Sequence, residues 1–197
     1  KAAKARNIVV VNVPFYGENT VAEFAFALIL SVSRRIPEAT DAVRAGSFSP
    51  KGFRGFDLNG KTLGVVGCGH IGMHVIKMAK GFGMEVLAYD IRKDPFLRDV
   101  LDFRYVSLPE LLKQSDIVSL HLPYSRATEH LMNRETFRLM KRGALLINTA
   151  RGGLVDTHAL VGALDQGIVG GAGLDVLEGE ELVKEERQLL EKDFPKE

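Results

Sequence analysis

The sequence predicts an α/β fold, a doubly wound parallel sheet with helices on both faces. Strand-type and helix-type segments alternate along most of the chain, the pattern that an open parallel sheet leaves in a sequence. The apolar run Ala144 to Ile147 is of the kind buried on both faces. The stretch Thr62 to Gly72, TLGVVGCGHIG, passes from a β-type run through glycines into a helical segment. The 197 residues, 46% of them hydrophobic, suffice for one substantial core or two small ones. With 26 basic and 25 acidic side chains the net charge is +1, which advertises neither nucleic acid nor an anionic membrane as partner. The single cysteine, Cys68, excludes an intrachain disulfide framework and a Cys-based zinc site. The longest apolar stretch, Phe24 to Leu30, is far short of the ~20 residues that span a bilayer. Lys1 to Arg6 carry charge without the apolar core of a signal peptide, so a cytoplasmic location is expected.

In chain order, Ile8 to Val11, IVVV, reads as a short buried strand broken by Pro14 and Gly17. Thr20 and Glu23 form a T-x-x-E capping box, and Val21, Phe24, Ala25, Leu28 and Val32 recur at helical spacing. A helix is therefore expected from about Val21 to Arg35. Pro37 opens a second helix that should stop at Gly46, and residues 47–60, rich in Gly and Pro, form a loop. Leu63 to Val66 is the next strand, Ile71 to Lys80 a helix ended by Gly81 and Gly83, and Glu85 to Tyr89 another strand. Ser107 and Glu110 cap a short helix through Lys113. Asp116 to Leu120 reads as a strand, His121 to His130 as a loop, and Asn133 as the cap of a helix ending near Gly143. Asp156 caps a helix through Asp165, with Gly167 beyond it. Val169 to Val176 is a glycine-rich strand containing Asp175, and Glu181 to Lys192 a charged amphipathic helix.

Gly67, Gly69 and Gly72 stand in a G-x-G-x-x-G pattern. The first permits a tight turn off the strand, the second lets a pyrophosphate approach the backbone, and the third lets the helix sit close to the sheet. The N–H groups of that helix's first turn, at His70 and Ile71, then face the phosphates. Asp90 follows the next strand, 90 − 72 = 18 residues after the last glycine. A carboxylate there accepts hydrogen bonds from a ribose and repels a 2′-phosphate, which favours NAD over NADP; Arg92 and Lys93 soften that preference. His70 and His74 lie four apart, a spacing that can hold a metal, but no further ligand is suggested nearby and no metal is expected.

Ligands of an open α/β sheet collect beyond the carboxyl ends of its strands. Gly67 to Gly72, Asp90, His121 with Pro123, Asn148 to Arg151, and Asp175 should therefore share one rim. Arg151, followed by Gly152 and Gly153, has the planar fork that suits a carboxylate; a surface arginine in a turn fits the spacing equally well. Glu178, Glu180 and Glu181 fit a solvated helix start and also an acidic group in a strand-end cleft.

Together TLGVVGCGHIG, HLPYSRATEHLMN, LLINTARGGLVD and GAGLDVLEGE resemble the D-2-hydroxyacid dehydrogenases, the last segment being nearest to the D-lactate dehydrogenase branch. The resemblance implies a Rossmann-type NAD-binding domain. By it, Arg151 would hold the substrate carboxylate and polarise its carbonyl, and Glu180 would raise the pKa of a catalytic histidine. Asp175 and the segments around His121 and Pro123 and around Thr149 and Ala150 would approach the nicotinamide and its ribose. Thr20 and Val21 match the family's cofactor-side contact at the start of its interdomain helix, which also suggests a homodimer. The family's histidine follows a further strand beyond the position of Glu180, whereas His70, His74, His121, His130 and His158 all precede it. The catalytic histidine and the family's last strand are accordingly expected to be absent. Residues 1–13 read as the remnant strand of a missing substrate domain and 14–197 as the NAD-binding domain; Lys at residue 1 fits a segment of a longer protein. The expected activity is hydride transfer between NAD(H) and a D-2-hydroxy acid, D-lactate and pyruvate above all, with little or no turnover by this chain alone. The alternative is a noncatalytic NAD-sensing interaction module of the corepressor kind.

Overall fold

A computed structural model describes residues 2–11, 13 and 16–180. Six short strands lie parallel, each to its neighbour: β1 (Thr62–Val66), β2 (Glu85–Tyr89), β3 (Arg104–Tyr105), β4 (Ile117–Leu120), β5 (Ala144–Asn148) and β6 (Val169–Leu174). Their order is β3-β2-β1-β4-β5-β6. The helices are α1 (Ala2–Ala5), α2 (Glu18–Ser33), α3 (Ile36–Arg44), α4 (His70–Gly81), α5 (Pro95–Leu101), α6 (Leu108–Gln114), α7 (Arg134–Phe137) and α8 (Thr157–Asp165), with a 3-10 turn at Gly152–Leu154.

Side chains alternate across the pleat, so each central strand feeds two cores. Leu63 and Val65 of β1 and Leu145 and Ile147 of β5 join Ile29 of α2 and Val75, Ile76 and Ala79 of α4 on one face. Val66, Val118, Leu120 and Leu146 meet Leu111, Leu112, Phe137 and Leu160 on the other. This two-sided burial is why the strands read as continuous apolar runs, and β5 is buried along its whole length. The doubly wound parallel sheet expected from the sequence is the one observed.

Three local expectations are corrected, and two elements go beyond them. Ile8 to Val11 form no strand; the chain coils past α1 with Val9 and Val11 85% exposed, since no sheet edge offers hydrogen bonds to an isolated β-branched run. The Thr20/Glu23 box does not form because α2 begins earlier, at Glu18, behind the left-handed Gly17, and Glu23 instead accepts a hydrogen bond from Asn19 (2.5 Å). Asn133 does cap α7, in a reciprocal box with Thr136, but the helix stops at Phe137. Leu139 N–H donates to Thr136 O and Met140 N–H to Phe137 O, shorter-range bonds that tighten the chain out of α geometry. Between Asp90 and Ser107 the chain forms α5, capped by Asp94 accepting from Leu97 N–H, and the edge strand β3, neither of which periodicity revealed. The expected helix from Glu181 lies outside the described residues.

The lower end of the sheet is pinned by Asp116, whose carboxylate accepts from Thr62 N–H (2.9 Å) and from Lys141 Nζ (2.9 Å). Burial pushes its carboxyl up, but the Thr62 N–H and Lys141 outweigh that, and the net displacement is below the ordinary 3.8. Asp116→Ala is expected to destabilise the fold by about 1–2 kcal/mol, mostly by leaving the Thr62 N–H unpaired, read from the denaturant midpoint. A carboxyl lowered on folding stabilises above its unfolded pKa and loses that contribution as pH falls through the folded value. The gap between the variant and the native chain should therefore narrow as pH falls through the folded value, leaving the part due to the Thr62 N–H.

Candidate functional site

The strand order reverses between β1 and β4, and the connections leave the two strands in opposite directions, which opens a crevice at their carboxyl ends. The glycine loop is sewn into that crevice: Gly67 N–H donates to Tyr89 O (2.9 Å) and His121 N–H to Val66 O (2.8 Å). Gly67 has φ +101°, and a Cβ there would lie 2.6 Å from the His121 carbonyl oxygen; a Cβ on Gly72 would overlap the Gly67 carbonyl. Gly69 instead faces open space. Immediately behind it α4 begins with no side-chain cap, so the N–H groups at His70 and Ile71 and the positive end of the helix dipole are offered to an anion. His70 Nδ1 is also 3.6 Å from Glu18 Oε1 of α2, a link between remote segments that spacing does not reveal.

Asp90 is brought to this loop. Its carboxylate accepts from Cys68 N–H (2.7 Å) and from Arg92 N–H (2.8 Å), and it borders a cavity of about 680 Å³ shared with Gly69, His70, His74, Arg92 and Tyr105. The Cys68 thiol beneath is pushed up to about 12 by burial and by the neighbouring Asp90 charge, so it is not a nucleophile near neutrality. Among the described residues no group of three His, Cys, Asp or Glu side chains is placed to hold a metal.

His121 follows β4, but its ring is tied to buried Ser119, Nε2 to Oγ at 2.8 Å, and burial pushes its pKa down to about 4. Its backbone, not its imidazole, meets the glycine loop. Pro123 is exposed and its carbonyl accepts from the Thr128 hydroxyl (2.8 Å). At the end of β5, fully buried Asn148 organises the turn. Its side chain accepts from Ala150 N–H (3.0 Å) and donates to Arg151 O (2.9 Å), and its carbonyl accepts from Asp175 N–H (3.0 Å). Thr149 is buried with its hydroxyl unpartnered among the described residues. Arg151 is exposed and its guanidinium donates to the Ala150 carbonyl (2.6 Å). Asp175 lines a groove of about 500 Å³ with Thr20, Val21 and Phe24 of α2. Glu180 accepts from Leu177 N–H (2.9 Å) within its own turn, and no hydrogen bond or ion pair joins it to Arg151 among the described residues. Ser119 escaped the sequence reading because a serine inside an apolar strand carries no motif; only its contact with His121 gives it a role.

Residues 26–194 match the family described as D-isomer specific 2-hydroxyacid dehydrogenase, NAD binding domain. The chain belongs to this family. A glyoxylate reductase from Thermococcus litoralis is 44% identical over 191 residues, which cover 93% of this chain and 58% of that protein. D-lactate dehydrogenase kk1H of Curvularia clavata is 45% identical over 91% of this chain and 51% of its own length. Among solved structures, D-lactate dehydrogenase from Aquifex aeolicus complexed with NAD and lactic acid superposes with a TM-score of 0.86 at 42% identity, covering 98% of this chain and 58% of that one. The chain thus spans little more than half the length of these relatives. As a 2-hydroxyacid dehydrogenase NAD-binding domain it takes NAD as cofactor, and the loop fits that ligand: the glycines bring the backbone close, Gly69 leaves space, and the helix start is uncapped.

A histidine lowered on folding costs stability as pH drops below its unfolded pKa of about 6.5. The His121 ring should accordingly stay neutral from pH 8 down to pH 5 and titrate with a midpoint of about 4 in ¹³C or ¹⁵N imidazole spectra. Ser119→Ala should leave the ring neutral over the same range, since burial is what depresses it.

Proposed function

We propose that this chain is the cofactor half of an NAD-dependent D-2-hydroxyacid dehydrogenase whose substrate pair is D-lactate and pyruvate. The observation that carries the reading is Asp90, held by two backbone N–H groups against the glycine loop. Its remaining lone pairs suit the adenosine ribose hydroxyls, and its charge repels a 2′-phosphate. The N–H groups at His70 and Ile71 take the pyrophosphate. From there the crevice leads away from β2 towards the ends of β4, β5 and β6. That puts the nicotinamide half near His121, Pro123, Thr149, Ala150 and Asp175, with Thr20 and Val21 on the flank.

When bound, the cofactor would take the hydride from C2 of the hydroxy acid as NAD or return it to the oxo acid as NADH; the chain's own residues position the reaction. Arg151, exposed beside this path, holds the substrate carboxylate with its fork and polarises the carbonyl. Glu180 orients a histidine contributed by another part of the whole protein, which takes the hydroxyl proton in oxidation and, protonated, returns it to the carbonyl oxygen in reduction. None of the five histidines here takes that place in this reading: His121 is half-buried with its pKa pushed down to about 4, and His130 is paired with Glu178. Residues 1–13 belong with the substrate-binding half and 14–197 with the cofactor half. The exposed apolar residues Val9, Val10 and Val11 support burial of that segment against the rest of the protein. The exposed face of α2, with Phe24 at 45% exposure, suits pairing of two subunits. Relatives named D-lactate dehydrogenase and pyruvate reductase support the substrate class.

Calorimetric titration of the chain should show NAD binding more tightly than NADP. Asp90→Ala should weaken NAD about tenfold or more and erase the discrimination, as expected for losing hydrogen bonds to a charged acceptor. Equal affinities for the two nucleotides in the native chain would overturn the role of Asp90. With pyruvate and NADH the chain alone should be idle and should gain activity when a substrate-domain fragment is added; robust turnover without the fragment would overturn the division of labour.

A further inference from the structure

Away from the glycine loop, one polar junction joins three segments that are remote in sequence. His130, in the loop after β4, is hydrogen-bonded through Nε2 to Glu178 Oε1. The other oxygen of Glu178 accepts from Thr157 N–H at the start of α8 (3.1 Å). His130 has φ +47°, a left-handed conformation that a residue bearing a Cβ adopts only when its surroundings hold it there. They do: its N–H donates to Gly153 O (2.9 Å) and its carbonyl accepts from Asn133 Nδ2 (3.0 Å). The next residues run beside the segment that follows Arg151, with Met132 N–H donating to Leu154 O (3.0 Å) and Asp156 N–H to Met132 O (2.9 Å). From the opposite side the Leu177 carbonyl presses on Gly152 so closely that a Cβ there would overlap it.

We infer that His130 and Glu178 are positioning residues, a clasp that locks the turn 175–180 to the segment following Arg151 and so shapes the nicotinamide end of the cofactor site. This rests on the proposed cofactor reading, in which the ends of β5 and β6 receive that half of NAD. Among the described residues, the turn 175–180 makes one other hydrogen bond to the rest of the rim, Asp175 N–H to Asn148 O, and that bond lies at the strand end. Glu178 is the anchor at the far side. Without it, Asp175 stays tied to Asn148 just beyond β6 while the chain that follows is free to swing, taking Glu180 with it. The adenosine half, held by Gly67 to Gly72 and Asp90 on the other side of the crevice, does not share these bonds.

The junction is charged as well as hydrogen-bonded. The bond to Glu178 holds the His130 pKa above the ordinary 6.5, with the Glu178, Asp156 and Glu129 carboxylates adding to it; Glu178 is lowered by Thr157 N–H and His130. A histidine raised on folding contributes fully below its unfolded pKa and loses that contribution as pH rises through the folded value. The clasp is therefore firmest in mild acid and loosens on the alkaline side.

The test compares NADH with AMP, which lacks the nicotinamide half, by fluorescence and calorimetric titration of the native chain, Glu178→Ala, Glu178→Gln and His130→Gln, each with a thermal melt to establish folding. Glu178→Ala should weaken NADH about fivefold or more and AMP by less than about twofold. In the native chain the NADH affinity relative to AMP should fall between pH 6 and pH 9, and in His130→Gln, which keeps a donor but cannot titrate, it should be flat. Equal losses for NADH and AMP, or an unchanged NADH affinity in both folded Glu178 variants, would overturn the clasp. A native chain that binds neither nucleotide would overturn the cofactor reading itself, and the inference with it.

Discussion

The arrangement of the rim depends on the backbone of Gly67 being wedged between the ends of β2 and β4. Its N–H is bonded to Tyr89 O, and its Cα lies so close to the His121 carbonyl that no side chain fits. That contact decides where α4 starts, and so where its uncapped N–H groups point. It also decides which residue of the 89–92 turn can reach the loop, namely Asp90 through Cys68 N–H. A larger residue at Gly67 would disturb the glycine turn, Asp90 and the β4 loop together, because all three are bonded to residues 66–68.

Electrostatics divides the polar residues of the rim into distinct kinds. His121 is neutral because burial leaves its charged form unsolvated. His130 and Glu178, nearer to water, are tuned by each other. Asp90 and Asn148 do their structural work through the same geometry, each gathering backbone groups that would otherwise be orphaned at the end of a strand. A binding site assembled this way is rigid at its base and open at its edge, which suits a dinucleotide gripped mainly by backbone groups.

Much of this is legible in the sequence. The runs EVLAY and ALLI were readable as strands because parallel strands buried on both faces must be continuously apolar, and the caps at Ser107, Asn133 and Asp156 were readable because side chains that satisfy helix ends act locally. IVVV misled for the complementary reason: β-branched residues report a preference for strand, but a strand exists only where a neighbour supplies its hydrogen bonds. The two-residue β3 is too short to show any period.

The order of segments, the glycine spacing and the acid at Asp90 determined by themselves that the chain builds a doubly wound sheet with a dinucleotide loop, since these depend on backbone conformation and on contacts close in sequence. Tertiary structure alone decided which polar residues line the rim and which face each other. It tied the His121 ring to Ser119, gave Asn148 the task of holding both β5 and β6, and brought His130, Thr157 and Glu178 together from three connections. Those pairings depend on how far strands and helices carry the chain before it returns to the rim, a distance in space that spacing along the sequence does not encode.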